Sequence, residues 1–329
     1  MEFERDERVE RRRARRRQVR RRRFAALLVV GGVVALGAVS TTSLLGPNKR
    51  GKADSKAPAT IELPGGGTTI LPGHKVVAFY GAPGGDRLGV LGSGSPLEVR
   101  ERLSDQALDY ESLERHTLPA FELIATIAHP FPGSDGKFRS RASDDVIAEY
   151  LTAARAEQAI LILDIQPGRA DFMDEVRHCT KWLKQSDVSL ALDPEWSVKA
   201  GEIPGRRVIG STTAAKVNEV SAYLDQIVQE NNLPQKLLLV HEFTEGMIEN
   251  PKGLVQRPNL AMVFNVDGFG TPEAKTGKYA DLTTDPDRPD FVFSGFKLFY
   301  EEDTRNGSRL MTPFEVLDLD PQPDVVVYE

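Results

Sequence analysis

The sequence predicts a parallel (β/α)8 barrel of the TIM type, preceded by a single transmembrane helix. Three observations predict it. Past residue 75, eight short apolar runs alternate with longer segments of helical periodicity. Most runs are continuous, as in Val76-Val77-Ala78-Phe79, which marks parallel strands buried on both faces. Ahead of them, Phe24 to Leu45 is a stretch of 22 uncharged residues, enough to cross a ~30 Å hydrocarbon core. A doubly wound open sheet is the rival arrangement of the same elements.

The N-terminal elements follow from charge. Residues 1–23 hold twelve arginines against five acids, a local +7, and the remainder carries 30 basic and 43 acidic residues. Arginines beside an apolar span hold that side in the cytoplasm, so the acidic domain is expected outside the plasma membrane. Topology accounts for the basic arm, and no nucleic-acid partner is expected. The length of the 24–45 stretch favours an uncleaved signal anchor, although Ala38-Val39-Ser40 is a small-x-small site. Residues 46–74, with Pro64-Gly65-Gly66-Gly67 and Pro72-Gly73, read as a flexible linker in which only Thr68–Leu71 could reach a sheet edge. Cys179 is the only cysteine, so no intramolecular disulfide forms and stability must come from the core.

Residues 75–329 supply the barrel. The eight runs are Lys75–Tyr80, Phe121–Ala128, Ala159–Ile165, Val188–Leu192, Arg206–Gly210, Lys236–Phe243, Leu260–Val266 and Phe291–Phe299. A ninth, Val325–Tyr328, closes the bottom of the barrel or pairs with the linker run. Helices are expected from Pro96 to about Tyr110, after Ser143, from Asp171 to about Gln185, and from Thr213 to about Glu230. The last has Val217, Val220, Leu224, Ile227 and Val228 on one stripe.

Barrel enzymes draw their active residues from the C-terminal ends of the strands. Acids recur there, and a charge within an apolar run is costly unless it is paired or hydrogen-bonded. Asp193-Pro194-Glu195-Trp196 follows the fourth run. On an extended chain its two acids point the same way, with Trp196 as a flat apolar platform. Asp267 precedes Gly268-Phe269-Gly270 after the seventh run. Two carboxylates near a scissile bond are what glycoside hydrolysis requires, and barrel glycosidases often take them from strands four and seven. Glu195 is therefore the candidate acid/base, with Asp267 or Glu242 as its partner and Asp193 alongside. Tyr80, Trp196 and Tyr300 would stack on sugar, Asp164 and His241 would orient other groups, and Lys297 would pair with an acid. The same acids could instead gather a divalent cation. The histidines show neither H-x-H nor H-E-x-x-H spacing, and no serine elbow or P-loop is present, so no cofactor is expected.

Six segments carry a resemblance: AILILDIQPGRADF (159–172), LALDPEW (190–196), LLLVHEF (237–243), VDGFG (266–270), GFKLFYEED (295–303) and PDVVVYE (323–329). Together they resemble a family of secreted or lipoprotein-type actinobacterial proteins of unassigned function, over roughly residues 75–329. The resemblance implies an extracytoplasmic place and a TIM-like, glycoside-hydrolase-like domain. This chain departs from the lipoprotein-type members in having no cysteine to lipidate after the apolar stretch. The expected function is a membrane-anchored hydrolase acting on envelope or other glycans. The alternative is a non-catalytic barrel that binds an envelope polymer or a partner protein.

Overall fold

The structure, a computed structural model, describes residues 61–329. The basic arm, the predicted transmembrane helix and residues 46–60 lie outside the described residues. Among those described, no helix is long and apolar enough to cross a membrane.

Eight parallel strands close into a barrel. In order around it they are β1 (His74–Gly81), β2 (His116–Ala128), β4 (Ile160–Ile165), β5 (Val188–Leu192), β7 (Lys236–Glu242), β9 (Leu260–Val266), β10 (Phe293–Leu298) and β11 (Val325–Tyr328). β1 pairs with both β2 and β11, which closes the sheet and excludes the open doubly wound arrangement. A short strand β3 (Arg139–Arg141) runs antiparallel to the end of β2, and β6 (Thr212–Thr213) pairs with β8 (Ile248–Glu249) outside the barrel.

The helices carry the capping chemistry their sequences encode. α1 (Pro96–Leu108) starts with a complete Ser95/Glu98 capping box and Pro96 in its first turn. Ser143 caps α2 (Asp144–Ala156), and Asp171 caps α3 (Phe172–His178). Thr213 caps α5 (Ala214–Asn231), which ends on left-handed Asn232. Thr271 caps α6 (Pro272–Thr283), and Thr312 caps α7 (Pro313–Leu317) with a second capping box. The helix expected over Asp171–Gln185 is broken at buried Cys179, and α4 (Thr180–Leu183) is a separate turn. Among the described residues the fifth and sixth barrel strands are joined without an α-helix, through β8 and a 3-10 turn at Pro251–Gly253.

Alternation along each strand makes two cores. Outward residues such as Phe121, Leu163, Leu190 and Val240 pack on the helices. Inward residues such as Ala78, Ala120, Ile162, Leu239 and Val263 fill the lumen with small and branched side chains. Continuous apolar runs were the right signal because both faces of every barrel strand are covered.

Two expectations need correction. Arg206–Gly210 is not a strand; it lies in the loop after β5, with both arginines exposed. It follows the chain of the Glu195 turn, where Gly210 donates its amide to the Glu195 carbonyl at 2.6 Å. A Cβ at Gly210 would come within 2.4 Å of the Pro194 carbonyl oxygen, so only glycine fits that approach. The eighth barrel strand is Val325–Tyr328, held between β1 and β10. Strand numbers after the fourth therefore fall by one, and Asp267 follows the sixth strand rather than the seventh.

The second correction concerns the linker. Its residues 61–73 belong to the folded unit. Leu63, Ile70 and Leu71 are buried with the lumen residues at the N-terminal end of the barrel. The amides of Ile70 and Leu71 both donate to Gln235 Oε1, at 2.8 and 2.9 Å, and the Gln235 amide donates back to the Thr68 carbonyl at 2.8 Å. A stopper with two apolar side chains and its polar groups satisfied is cheaper to order than its glycine-rich flanks suggest.

Candidate functional site

At the opposite end the lumen turns polar within one layer. Following the inward positions of each strand leads to Tyr80, Glu122, Asp164, Asp193, His241, Asn265, Lys297 and, past β11, Glu329. Glu122, Asp164 and Asn265 have no exposed surface.

His241 sits at the centre. Its Nε2 lies 2.8 Å from Glu122 Oε1 and 4.0 Å from Asp164 Oδ1, and its Nδ1 lies 3.2 Å from Asp267 Oδ2. Burial opposes an imidazolium here, but Glu122 and Asp267 outweigh it and hold His241 well above the ordinary histidine range. Lys297 donates to Asp267 Oδ2 at 3.2 Å and to Glu329 Oε2 at 2.7 Å, with its ammonium 3.7 Å from the Tyr80 ring centroid. These carboxylates hold the ammonium well above its usual range despite complete burial. Tyr80 donates its hydroxyl to Asp164 Oδ2 at 3.1 Å and accepts from Gln166 Nε2 at 3.0 Å.

Asp267 is the best-satisfied acid of the group. Besides Lys297 and His241 it accepts the Gly268 amide at 2.8 Å. Gly268 has φ +103°, a turn that aims the amide back at the carboxylate and that few residues other than glycine adopt. Burial alone would raise this carboxyl; the two cations and the amide reverse that and hold it far below the carboxylate range. The loop is fixed from behind, where Lys275 donates to the Gly268 carbonyl at 2.9 Å and pairs with Asp303 at 3.1 Å.

The acids after the fourth strand behave differently. The chain leaves β5 at Asp193 and enters a 3-10 turn, Pro194–Trp196, so Glu195 is not on an extended strand and the same-side rule does not apply. Asp193 is buried, and burial followed by the charge of Asp164 pushes its carboxyl well up. Glu195 is half-buried, and burial followed by the charge of Asp267 pushes its carboxyl up to about 7. Asp164 is likewise pushed up to about 7, by burial first and then by Glu122, against the pull of His241.

The lumen thus brings together Asp193, Asp267, Tyr80, His241, Lys297 and Asp164, with Glu195 on the turn above them. It does not include Glu242 or Tyr300. Glu242 alternates with His241 and faces outward, where Arg288 Nη1 lies 3.6 Å away; burial pushes it up to about 7 with Arg288 opposing. Tyr300 stacks on Tyr328 at 5.3 Å and donates to Gln106 Oε1 at 3.1 Å, so it belongs to the layer between α1 and the barrel. Trp196 is half-buried, with the loop at Gly205 against its ring edge.

Sequence reasoning passed over Glu122, although an acid inside the run Ala120-Phe121-Glu122-Leu123-Ile124 carries the same signal as Asp164. Glu329 joins the site only because its strand closes the barrel. Two exposed aromatics, Phe131 and Phe269, stand on loops after the second and sixth barrel strands, at the same end as the site. Compared with family models and with curated proteins, the chain matches none.

Proposed function

We propose that the domain is a hydrolase acting on envelope or other glycans, with Glu195 as the general acid/base and Asp267 as its ionised partner. One observation carries this reading: Glu195, half-open to solvent, is poised near neutrality while Asp267, close enough to raise it, stays ionised. Two carboxyls pushed apart in this way are the usual division of labour in glycoside cleavage, where one gives a proton and the other stabilises the developing positive charge. Trp196, Phe131 and Phe269 supply apolar surface for sugar faces around the mouth. The same proposal holds the domain outside the plasma membrane by the 24–45 helix, as the resemblance to secreted and lipoprotein-type proteins suggests. The fold and the acids carry this reading without the strand-seven analogy, because Asp267 follows the sixth strand.

A second reading is favoured by one specific feature. Every described contact of Asp267 is already taken by Lys297, His241 and Gly268, as in a carboxylate that positions other groups. A barrel that binds an envelope polymer without cleaving it fits that feature. Turnover of isolated envelope glycans by the full-length protein separates the two. For a hydrolase, Glu195→Gln lowers kcat by ~10²–10⁴ while the melting temperature stays close to that of the parent. Full activity in Glu195→Gln ends the assignment of Glu195, and polymer binding without turnover in the parent protein favours the second reading.

A further inference from the structure

We propose that the barrel lumen holds a divalent transition cation, such as Zn2+ or Mn2+, bound by Glu122, Asp164 and His241. The three come from β2, β4 and β7, and their nearest ligand atoms all lie within 4.8 Å of one another. From His241 Nε2 the two carboxylate oxygens stand at 2.8 and 4.0 Å. Those distances bracket the roughly 3.0–3.4 Å between neighbouring ligands on a cation bound at about 2.1 Å. One imidazole with two carboxylates is a mixed nitrogen and oxygen set, suited to these ions rather than to Ca2+.

Acids alone would not carry this. The second observation is that Asp164 Oδ1 and Glu122 Oε2 are fully buried oxygens without a hydrogen-bond partner. Both belong to side chains with no exposed surface, and Asp164 Oδ1 points at His241. A proton on Asp164 does not resolve the problem. Its Oδ2 already accepts from Tyr80, whose own oxygen accepts from Gln166, so the acid proton would sit on Oδ1 with no acceptor. A cation between His241 Nε2 and Asp164 Oδ1 satisfies the Asp164 orphan directly, and it satisfies Glu122 Oε2 where that carboxylate, already 2.8 Å from Nε2 through Oε1, binds through both oxygens.

The surroundings also fit. With Nε2 on the ion, Nδ1 carries its proton toward Asp267 Oδ2, the carboxylate–histidine–metal arrangement that fixes the ring and raises its basicity. Lys297 on the same carboxylate keeps Asp267 ionised for that task. The charges point the same way: among the described residues, five acids, Glu122, Asp164, Asp193, Asp267 and Glu329, share the lumen end with the two cationic side chains His241 and Lys297. The site stands whether or not Glu195 acts on a glycan.

The full-length protein, stripped with a chelator and dialysed, is titrated with Zn2+ and separately with Mn2+. One equivalent of bound metal by elemental analysis is expected, with a melting shift of about 5 °C or more at 100-fold excess over Kd. Asp164→Asn and Glu122→Gln should each lose the shift, and Glu195→Gln should retain it. An absence of stoichiometric uptake with both ions overturns the site, as does a shift that survives in both ligand variants. Should those variants fail to fold, anomalous scattering from zinc-loaded crystals of the parent protein decides. A peak between Glu122, Asp164 and His241 upholds the site, and a peak elsewhere overturns it.

Discussion

The two ends of the barrel bury charge in opposite ways. At the N-terminal end, Lys236 donates to the Gln185 carbonyl at 2.7 Å and to the Val188 carbonyl at 2.5 Å, and Lys75 donates to the Pro323 carbonyl. Backbone carbonyl oxygens face both amino groups, and Ile70 and Leu71 seal the lumen beside them. At the C-terminal end, carboxylates face one another, and two of their oxygens have no partner. The same eight strands build a floor where buried amino groups meet backbone oxygens and a ceiling where buried carboxylates meet one another. Buried carboxylate oxygens without partners are costly, and a cluster of them at the mouth of a lumen is a candidate site.

The largest effect should come from unpairing the ceiling. Lys297→Met leaves buried Asp267 without its ammonium partner and half-buried Glu329 without its ion pair, and should cost about 3–5 kcal/mol in denaturant unfolding. A loss below about 1 kcal/mol would mean that the network is looser than its geometry, and that the two ends do not differ as described.

Next comes the floor. Leu71→Ala removes half of the apolar stopper beside a cavity of about 200 Å³ that Leu71 already lines with Gln235, Leu260 and Phe293. A loss of about 2–3 kcal/mol is expected, and glycan turnover, if present, should be unchanged because the site lies at the other end. A variant with intact stability but altered turnover would show that the stopper reaches the chemistry.

The smallest effect is the sharpest test of the contrast, because the two ends should respond to pH with opposite signs. Glu195 titrates at about 7 in the fold against an ordinary 4.5. A raised carboxyl gives stability that is complete below the unfolded value and is lost as pH rises through the folded one, so this contribution falls between about pH 4.5 and 7. Burial lowers Lys236 from 10.5 to about 7, so the unfolded chain binds the extra proton between those values and its contribution rises across that window. Melting temperatures across pH 4.5–10 for Glu195→Gln and Lys236→Met should flatten the falling and the rising limb respectively. Identical profiles for both variants would remove the distinction.

Much of the fold was legible because barrel strands are buried on both faces and helix caps are local. Val76–Phe79, Leu237–Val240 and Leu260–Val266 announced themselves as continuous apolar runs, and Ser95, Ser143, Thr213 and Thr271 as caps. Arg206–Gly210 misled because three apolar or small residues after two arginines look like a short strand, whereas their role is to press glycine against a neighbouring turn. In the site, Asp164, Asp193, His241 and Asp267 stood out as polar residues at the ends of apolar runs. Glu242 stood out for the same reason and faces the other way, since a period of two separates neighbours but does not say which of them is inside.

By itself the sequence determined that residues past 75 form alternating strands and helices, that acids collect at one end of the strands, and that stability rests on a core without disulfides. These are local properties, set by side-chain type and spacing. Only the tertiary structure decided that Val325–Tyr328 closes the ring, that Ile70 and Leu71 plug it, and that Glu122, Asp164 and His241 meet. Closure couples residues far apart in sequence, and no local spacing rule records which of them face each other across a lumen.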